Sequence, residues 1–244
     1  MTTALILAGG RGARFGAEIP KQFVEVLGKP VIVYTLENFQ RSPDIDAIEI
    51  VCRENYFDYV WQLARTYGIT KLRWVHESGP ECQDSIRNGV LSLQDEMQDD
   101  DIILIHMANA PLITQEAIAE GVQVCREHGN SFPAVPVFLC MGKRIPGADN
   151  WTDQNAYKED FVQFNTPWAY RYGTVRDLYL DALKKGRGTG IKSYTVSLMF
   201  EYGMKAYYYD GCDIGRLKIT TPADLEFFEG YLLLQQKRKE QNNG

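Results

Sequence analysis

A chain of 244 residues with 45% hydrophobic content has room for one large core, and no apolar run in it approaches the ~18 residues that a membrane span needs. Its 26 Lys and Arg against 32 Asp and Glu give a formal net charge of −6, which excludes a general nucleic-acid binder but leaves room for a local basic pocket. Five cysteines (Cys52, Cys82, Cys125, Cys140, Cys212) lack CxxC spacing and Thr2-Thr3 leads straight into a strand without a basic leader, so a cytoplasmic protein with free thiols is expected.

The apolar run Ala4–Leu7 reads as a buried strand that ends in Ala8-Gly9-Gly10-Arg11-Gly12-Ala13-Arg14-Phe15-Gly16, with Pro20-Lys21-Gln22-Phe23 just behind. Glycines permit positive φ and remove the side-chain bulk that keeps peptide N–H groups from a ligand. Arg14 and Lys21 follow at a spacing that brings two cations to the mouth of the turn, and free backbone donors beside positive charge make a polyphosphate site. The glycine spacing differs from the dinucleotide fingerprint: Gly16 comes one position late, and Pro20 would fall inside the first turns of the helix that fingerprint requires.

Further along, Pro30–Phe39 has helical spacing with Pro30 in the first turn, Asp46–Cys52 reads as a strand, and Asn55–Tyr67 as a helix capped by Asn55. Leu72–His76 is a third strand, followed by Glu77-Ser78-Gly79-Pro80-Glu81 and a helix from Asp84 to Leu93. Asp101–His106 is a buried strand meeting the break Met107-Ala108-Asn109-Ala110-Pro111. A helix from Thr114 to His128 and a strand over Phe132–Phe138 come next. Such alternation predicts an α/β, Rossmann-like domain with a mixed, mostly parallel sheet covered by helices on both faces, and it places the post-strand loops on one rim. Residues 139–165 break the pattern with scattered aromatics (Trp151, Tyr157, Phe161, Phe164), as in a projecting β-arm that pairs with a second copy or a long loop over its own domain. Helices over Tyr170–Leu183 and Val196–Tyr202, a strand over Met204–Tyr209, and a last helix capped by Thr221 with Pro222 in its first turn complete one domain spanning 1–244. Leu225, Phe228 and Leu232 share a face of that helix, and Lys237-Arg238-Lys239 reads as its frayed, solvated end.

Leu7-Ala8-Gly9-Gly10-x-Gly12-x-Arg14-x-Gly16 with Pro20-Lys21-Gln22-Phe23 resembles the IspD/TarI family of cytidylyltransferases. The resemblance recurs at Asp84-Ser85-Ile86-Arg87-Asn88-Gly89, at Thr166-Pro167 and at Leu217-Lys218-Ile219-Thr220-Thr221-Pro222-Ala223-Asp224-Leu225. It implies transfer of CMP from CTP to a small phosphorylated acceptor (polyol, sugar or related phosphate) with release of pyrophosphate. Such a reaction needs fixed cations more than covalent work. On that resemblance Arg14, Lys21 and Lys218 are the catalytic cations. Leu7, Ala8, Gly9, Gly10, Gly12, Gly79 and Ser85 hold the nucleotide, with backbone groups reading the cytosine edge. Ala108, Asn109, Lys158 and Thr166 fall on the acceptor side, the last two reaching across a homodimer.

The family's fourth strand ends His-Asp-x-x-Arg-Pro, whereas this chain has His106-Met107-Ala108-Asn109-Ala110-Pro111, so a carboxylate and an arginine are replaced by a thioether and a methyl. Lys158 stands where an arginine is usual, which keeps the charge and loses the bidentate fork. These changes imply an acceptor other than methylerythritol phosphate or ribitol phosphate, and Mg2+ carried mainly by the CTP phosphates, with Asp213 or Asn109 as a compensating ligand. A nucleotide-binding protein that has lost turnover, or a sugar-phosphate nucleotidylyltransferase using another base, are the alternatives.

Overall fold

In the computed structural model, which describes residues 1–10, 19–187, 194–211 and 213–242 (Asp213 by its backbone alone), the first apolar run becomes β1, Thr2–Leu7, buried along its whole length. A tight hairpin of β2 (Glu25–Val26) and β3 (Lys29–Pro30) turns through Leu27 and Gly28 at φ 49° and 74°. The alternation then runs α1 (Val31–Arg41), β4 (Ala47–Cys52), α2 (Phe57–Thr66), β5 (Leu72–Glu77), α3 (Cys82–Ser92), β6 (Ile102–Met107), α4 (Gln115–His128) and β7 (Asn130–Pro136). Beyond it come the small pair β8 (Met141–Gly142) and β9 (Asn155–Ala156), then β10 (Val162–Phe164) and β11 (Trp168–Arg171). The chain closes with α5 (Tyr172–Lys184), α6 (Thr195–Glu201), β12 (Tyr208–Asp210) and α7 (Pro222–Asn242).

The central sheet has the order β10-β7-β11-β6-β1-β4-β5, and β12 also pairs with β7, in parallel. β1 is parallel to β4 and β6, and β4 to β5, whereas β11 is antiparallel to both β6 and β7. Both faces are covered, as the near-continuous apolar strands require. Ala4 and Ile6 of β1 pack with Ile32 and Leu36 of α1, Val60 of α2 and Ile118 of α4, while Leu5 and Leu7 face Ile86 and Val90 of α3 and Val175 and Leu178 of α5. Each such side chain contributes about 1.5–3 kcal/mol by leaving water. In register, Leu7 stands level with Val51 and with Met107, and Cys52 with Glu77. The carboxyl ends of β1, β4, β5 and β6 therefore form one rim.

Several expected boundaries move. The helix expected from Tyr170 starts at Tyr172, because Trp168–Arg171 is an inserted strand whose Trp168, Ala169 and Tyr170 are buried in the sheet. Strand and helix abut with no Gly or Pro between them, so the apolar run read as one element. Asn55 does not cap α2; it lies in a 3-10 turn, Glu54–Tyr56, and Tyr56 is the N-cap without a side-chain bond. α3 starts at Cys82, ahead of Asp84, because Glu81 and Asp84 form a capping box. The strand expected over Phe132–Phe138 covers Asn130–Pro136, and that over Met204–Tyr209 is confined to Tyr208–Asp210. Thr114 caps α4 as expected, its side chain accepting from Ala117 N–H at 3.1 Å. α7 stays helical through Lys237-Arg238-Lys239 to Asn242, so that basic stretch is exposed helix, not a frayed end.

α3 sits on the sheet at Gly89, where a Cβ would come within 2.6 Å of Leu5 Cδ1 and 2.8 Å of Val51 Cγ2, both in fully buried side chains. Gly89→Ala should therefore lose about 1–3 kcal/mol to overpacking, more than the roughly 1 kcal/mol that alanine adds in helix propensity. A lower urea midpoint at unchanged slope is the expected result, and an unchanged midpoint would refute the close packing.

Candidate active site

The rim bonds continue one residue past the strands: Ala8 N–H donates to the Val51 carbonyl at 2.7 Å, and Ala108 N–H to the Leu7 carbonyl at 3.0 Å. Among the described residues, Gly9 and Gly10 are not in the positive-φ region, so the turn needs them for closeness and not for left-handed backbone. A Cβ on Gly9 would lie 2.4 Å from Ser78 Cβ, whereas one on Gly10 would meet nothing within 4 Å. Gly9 thus lets the β1 exit touch the β5 exit, and Gly10 leaves open space. Gln22, only 3% exposed, fastens the turn: its Nε2 donates to the Ala8 carbonyl at 2.5 Å and to the Gly10 carbonyl at 3.3 Å. The 3-10 turn Lys21–Phe23 is thereby tied to β1, and Phe23 stacks on Tyr56 at 4.7 Å.

The opposite wall is the loop between β5 and α3. Gly79 N–H donates to Ser85 Oγ at 3.1 Å, and Ser85 Oγ reaches the Glu81 carbonyl at 3.2 Å. A Cβ on Gly79 would come within 2.3 Å of Asp84 Cβ, so the loop lies flat on the start of α3. Ser85 is at once a helix-start residue and the knot that shapes this wall.

Lys218 enters from the far end of the chain. Downstream of it, Asp224 accepts from Thr220 N–H and Thr221 N–H, each at 2.8 Å, and from Thr221 Oγ1 at 3.0 Å. Upstream of Thr220, both backbone groups of Ile219 end on Asn109: Ile219 N–H donates to the Asn109 carbonyl at 2.8 Å and Asn109 Nδ2 donates to the Ile219 carbonyl at 2.5 Å. Burial pushes the Asp224 carboxyl up, but its hydrogen bonds and the nearby Lys21 ammonium outweigh this and hold it below the ordinary range. Lys218 in turn acts on Cys82, where burial raises the thiol and the ammonium opposes the rise. Its Nζ lies 5.9 Å from the centre of the Tyr194 ring.

Together these elements enclose a cavity of about 950 Å³ at the rim. Leu7, Gly9, Gly10, Lys21, Gly79, Ser85, Asn109 and Lys218 line it, which brings together the larger part of the residues expected at the site. Ala8 and Ala108 do not line it; they are 3% and 1% exposed, and their backbone groups are engaged beneath the rim. Arg14 and Gly12 lie outside the described residues, as does the Asp213 side chain. Lys158 is exposed in a 3-10 turn and borders a second cavity with Phe138, Phe161 and Tyr208, while Thr166 is half-buried before Pro167; neither faces the main cavity of its own chain. Met107 lines the cavity, but Ala110 is turned into the core beside it, so one of the two departures on β6 changes the lining directly. Among the described residues no group of three or more His, Cys, Asp or Glu is placed to hold a metal ion, and the Asn109 amide nitrogen is already bound to Ile219. Sequence reasoning gave no role to Gln22 or Asp224 and did not single out Arg53, Glu54 or Tyr194, which also line the cavity. The Pro-Lys-Gln and Thr-Thr-Pro-Ala-Asp spacings were the available signals for the first two.

A model of the family described as IspD, 2-C-methyl-D-erythritol 4-phosphate cytidylyltransferase, matches residues 2–233. The chain is 37% identical to a ribitol-5-phosphate cytidylyltransferase of Lacticaseibacillus paracasei over 95% of this chain and 98% of that one. It is 33% identical to a ribitol-5-phosphate cytidylyltransferase of Vibrio parahaemolyticus (97% and 98% covered), and 31% identical to a 2-C-methyl-D-erythritol 4-phosphate cytidylyltransferase of Clostridium acetobutylicum (92% and 94% covered). Among solved structures, the fold is similar to that of 4-diphosphocytidyl-2C-methyl-D-erythritol synthase from Anaerococcus prevotii, with TM-score 0.78 at 21% identity over 95% of this chain and 96% of that one. It is also similar to the Francisella tularensis 2-C-methyl-D-erythritol 4-phosphate cytidylyltransferase, with TM-score 0.75 at 20% identity over 93% and 97%.

Gly9→Ala and Gly10→Ala should separate packing from ligand space. The first should lower stability by about 1–3 kcal/mol through its clash with Ser78; the second should leave the melting temperature unchanged and weaken nucleoside triphosphate binding in titration calorimetry. Equal melting losses in both would contradict the geometry. A pH prediction comes from His106, which is 1% exposed, donates from Nε2 to the Ala110 carbonyl at 2.9 Å and is pushed down from 6.5 to about 4, chiefly by burial. Between those two values the unfolded chain binds the proton and the folded chain refuses it, so stability falls as pH falls through that window. His106→Gln should remove about 3 kcal/mol of that loss, measured by urea unfolding at several pH values; parallel pH curves for the two proteins would refute it.

Proposed function

Because the chain belongs to the IspD family, and so is a nucleotidyltransferase, we propose that it transfers CMP from CTP to the phosphate of a small phosphorylated polyol with release of pyrophosphate. An acceptor phosphate oxygen attacks the α-phosphorus in line, the bond to the bridging oxygen breaks, and pyrophosphate carries that electron pair away. Negative charge gathers on the non-bridging oxygens, where fixed positive groups lower the barrier. The observation that carries this reading is that Lys21 and Lys218, from opposite ends of the chain, face one cavity beside the glycine turn. Lys21 serves the triphosphate and Lys218 the α-phosphate, and Arg14, which lies outside the described residues, is the third cation on the family resemblance. Backbone groups near Gly9, Gly79 and Ser85 meet the cytosine edge, which needs one acceptor and two donors.

The β6 departures, read from sequence, favour an acceptor other than ribitol phosphate, but ribitol 5-phosphate heads the acceptors to be tested, since the relatives at 37% and 33% identity carry that name. Mg2+ would be carried by the triphosphate oxygens and would neutralise part of their charge there. The protein works as a homodimer in which Lys158 and Thr166 serve the neighbouring cavity; exposed Trp151, Tyr157 and Phe161 on the 139–165 segment support that pairing. A reducing cytoplasm suits Cys52, Cys82, Cys125 and Cys140, which are free thiols. Among the described residues no helix is long and apolar enough to cross a membrane.

The reading is tested by incubating the protein with each nucleoside triphosphate, magnesium and a panel of phosphorylated polyols, sugars and amino alcohols, and measuring pyrophosphate. Acceptor-dependent release with CTP is expected; binding without release would make the chain a nucleotide-binding protein, and release with UTP, GTP or ATP alone would overturn the base assignment. Lys21→Ala and Lys218→Ala should each lower turnover by ~10²-fold or more at unchanged melting temperature, and wild-type rates would remove those lysines from the reaction.

A further inference from the structure

We infer that Asn109 is a positioning residue for Lys218, acting through the backbone of Ile219. The inference rests on the reading of Lys218 as the cation at the α-phosphate. Asn109 follows β6 by two positions and lies 110 residues before its partner, yet it takes both hydrogen-bonding groups of Ile219, one with its carbonyl and one with its side chain. The arrangement reproduces a one-residue strand pairing, one bond made by the main chain and the other by the side chain, and the second needs a carboxamide. An aspartate offers no N–H to the Ile219 carbonyl and alanine has no polar side chain, while in both variants the main-chain carbonyl of residue 109 still accepts from Ile219 N–H.

What lies on either side of this tie gives it its consequence. Ile219 is fully buried against Val26, Val31 and Phe228, so its side chain fixes the segment to the core while Asn109 fixes the backbone to the rim. Thr220 and Thr221 are held by Asp224, and Thr220 Oγ1 donates back to the Lys218 carbonyl at 3.1 Å. Lys218, one residue before the tie, is exposed and reaches the cavity on a flexible stem. Its ammonium can be placed only as well as its Cα is placed, and an error of ~1 Å at a reacting centre can cost ~10²-fold in rate. Asn109 itself is 5% exposed, and its nitrogen faces a carbonyl and not the ligand space. It therefore acts on the lysine by setting where the chain runs.

The test is a double-mutant cycle of Asn109→Ala with Lys218→Ala, read as kcat and KM for CTP from initial rates of pyrophosphate release, with Asn109→Asp as a variant of equal size that lacks the donor. Asn109→Ala should lower kcat by ~10–100-fold with little change in KM, Asn109→Asp should do likewise, and neither should lower kcat more than about twofold when Lys218 is already alanine. A loss that multiplies in full in the Lys218→Ala background marks a general structural role and overturns the inference, as does wild-type kcat in both Asn109 variants. If Lys218→Ala alone keeps wild-type turnover, the catalytic reading falls and takes this inference with it. If Lys218→Ala is crippled and the Asn109 variants are not, only the inference falls.

Discussion

Two ammonium groups face one cavity from opposite ends of the chain, so the fold must bring both segments to the same rim. It does so through backbone. The turn that carries Lys21 is tied to β1 by Gln22, and the segment that carries Lys218 is tied to β6 by Asn109 and to the start of α7 by Asp224. Asp224 also feels the Lys21 ammonium, which adds to the hydrogen bonds that hold its carboxyl below the ordinary range. The price of preorganisation thus falls on folding and is settled before any substrate binds.

The sheet supplies the frame for these ties. β1 and β6 are adjacent and parallel, so the two clamped segments hang from neighbouring strand ends. Beneath them His106 stays neutral: burial disfavours its charge first, and the Lys218 ammonium disfavours it further. The hydrogen bond to the Ala110 carbonyl works in the opposite direction, and burial outweighs it, so the imidazole stays uncharged in the core. Ser85 completes the opposite wall by holding Gly79 down onto α3. Polar side chains that a static view might assign to ligand contact are largely engaged in keeping loops in place.

Much of this was legible in the residues. The apolar runs of β1, β4 and β6 announce buried parallel strands, and Thr114 and Thr221 mark helix starts that the structure retains. β11 was not legible because Trp168–Arg171 runs into α5 without a break, and a short apolar run does not declare its period. At the site, Lys21 and the Gly9-Gly10 turn could be read from their spacing, since local chain geometry decides what lies near the end of a strand, whereas Lys218, Gly79 and Ser85 were placed only by the family resemblance. The Asn109–Ile219 tie could not, because it joins residues far apart whose pairing exists only once β6 and α7 have docked. Gly9 was read for torsional freedom and for letting a ligand approach the backbone, and in the structure its missing side chain makes room for Ser78.

β11 runs back beside β7, so the excursion between them leaves and re-enters the sheet at one seam, closed where Asn165 N–H donates to the Pro133 carbonyl at 2.7 Å. The hairpin formed by β8 and β9 is therefore an insertion whose two roots already touch. Lengthening it, shortening it or exchanging it for another leaves the spacing of β1, β4, β5 and β6 unaltered. The frame that carries the cavity and the excursion that leaves it can consequently change independently, one fixed by core packing and the other hung from a single point of attachment.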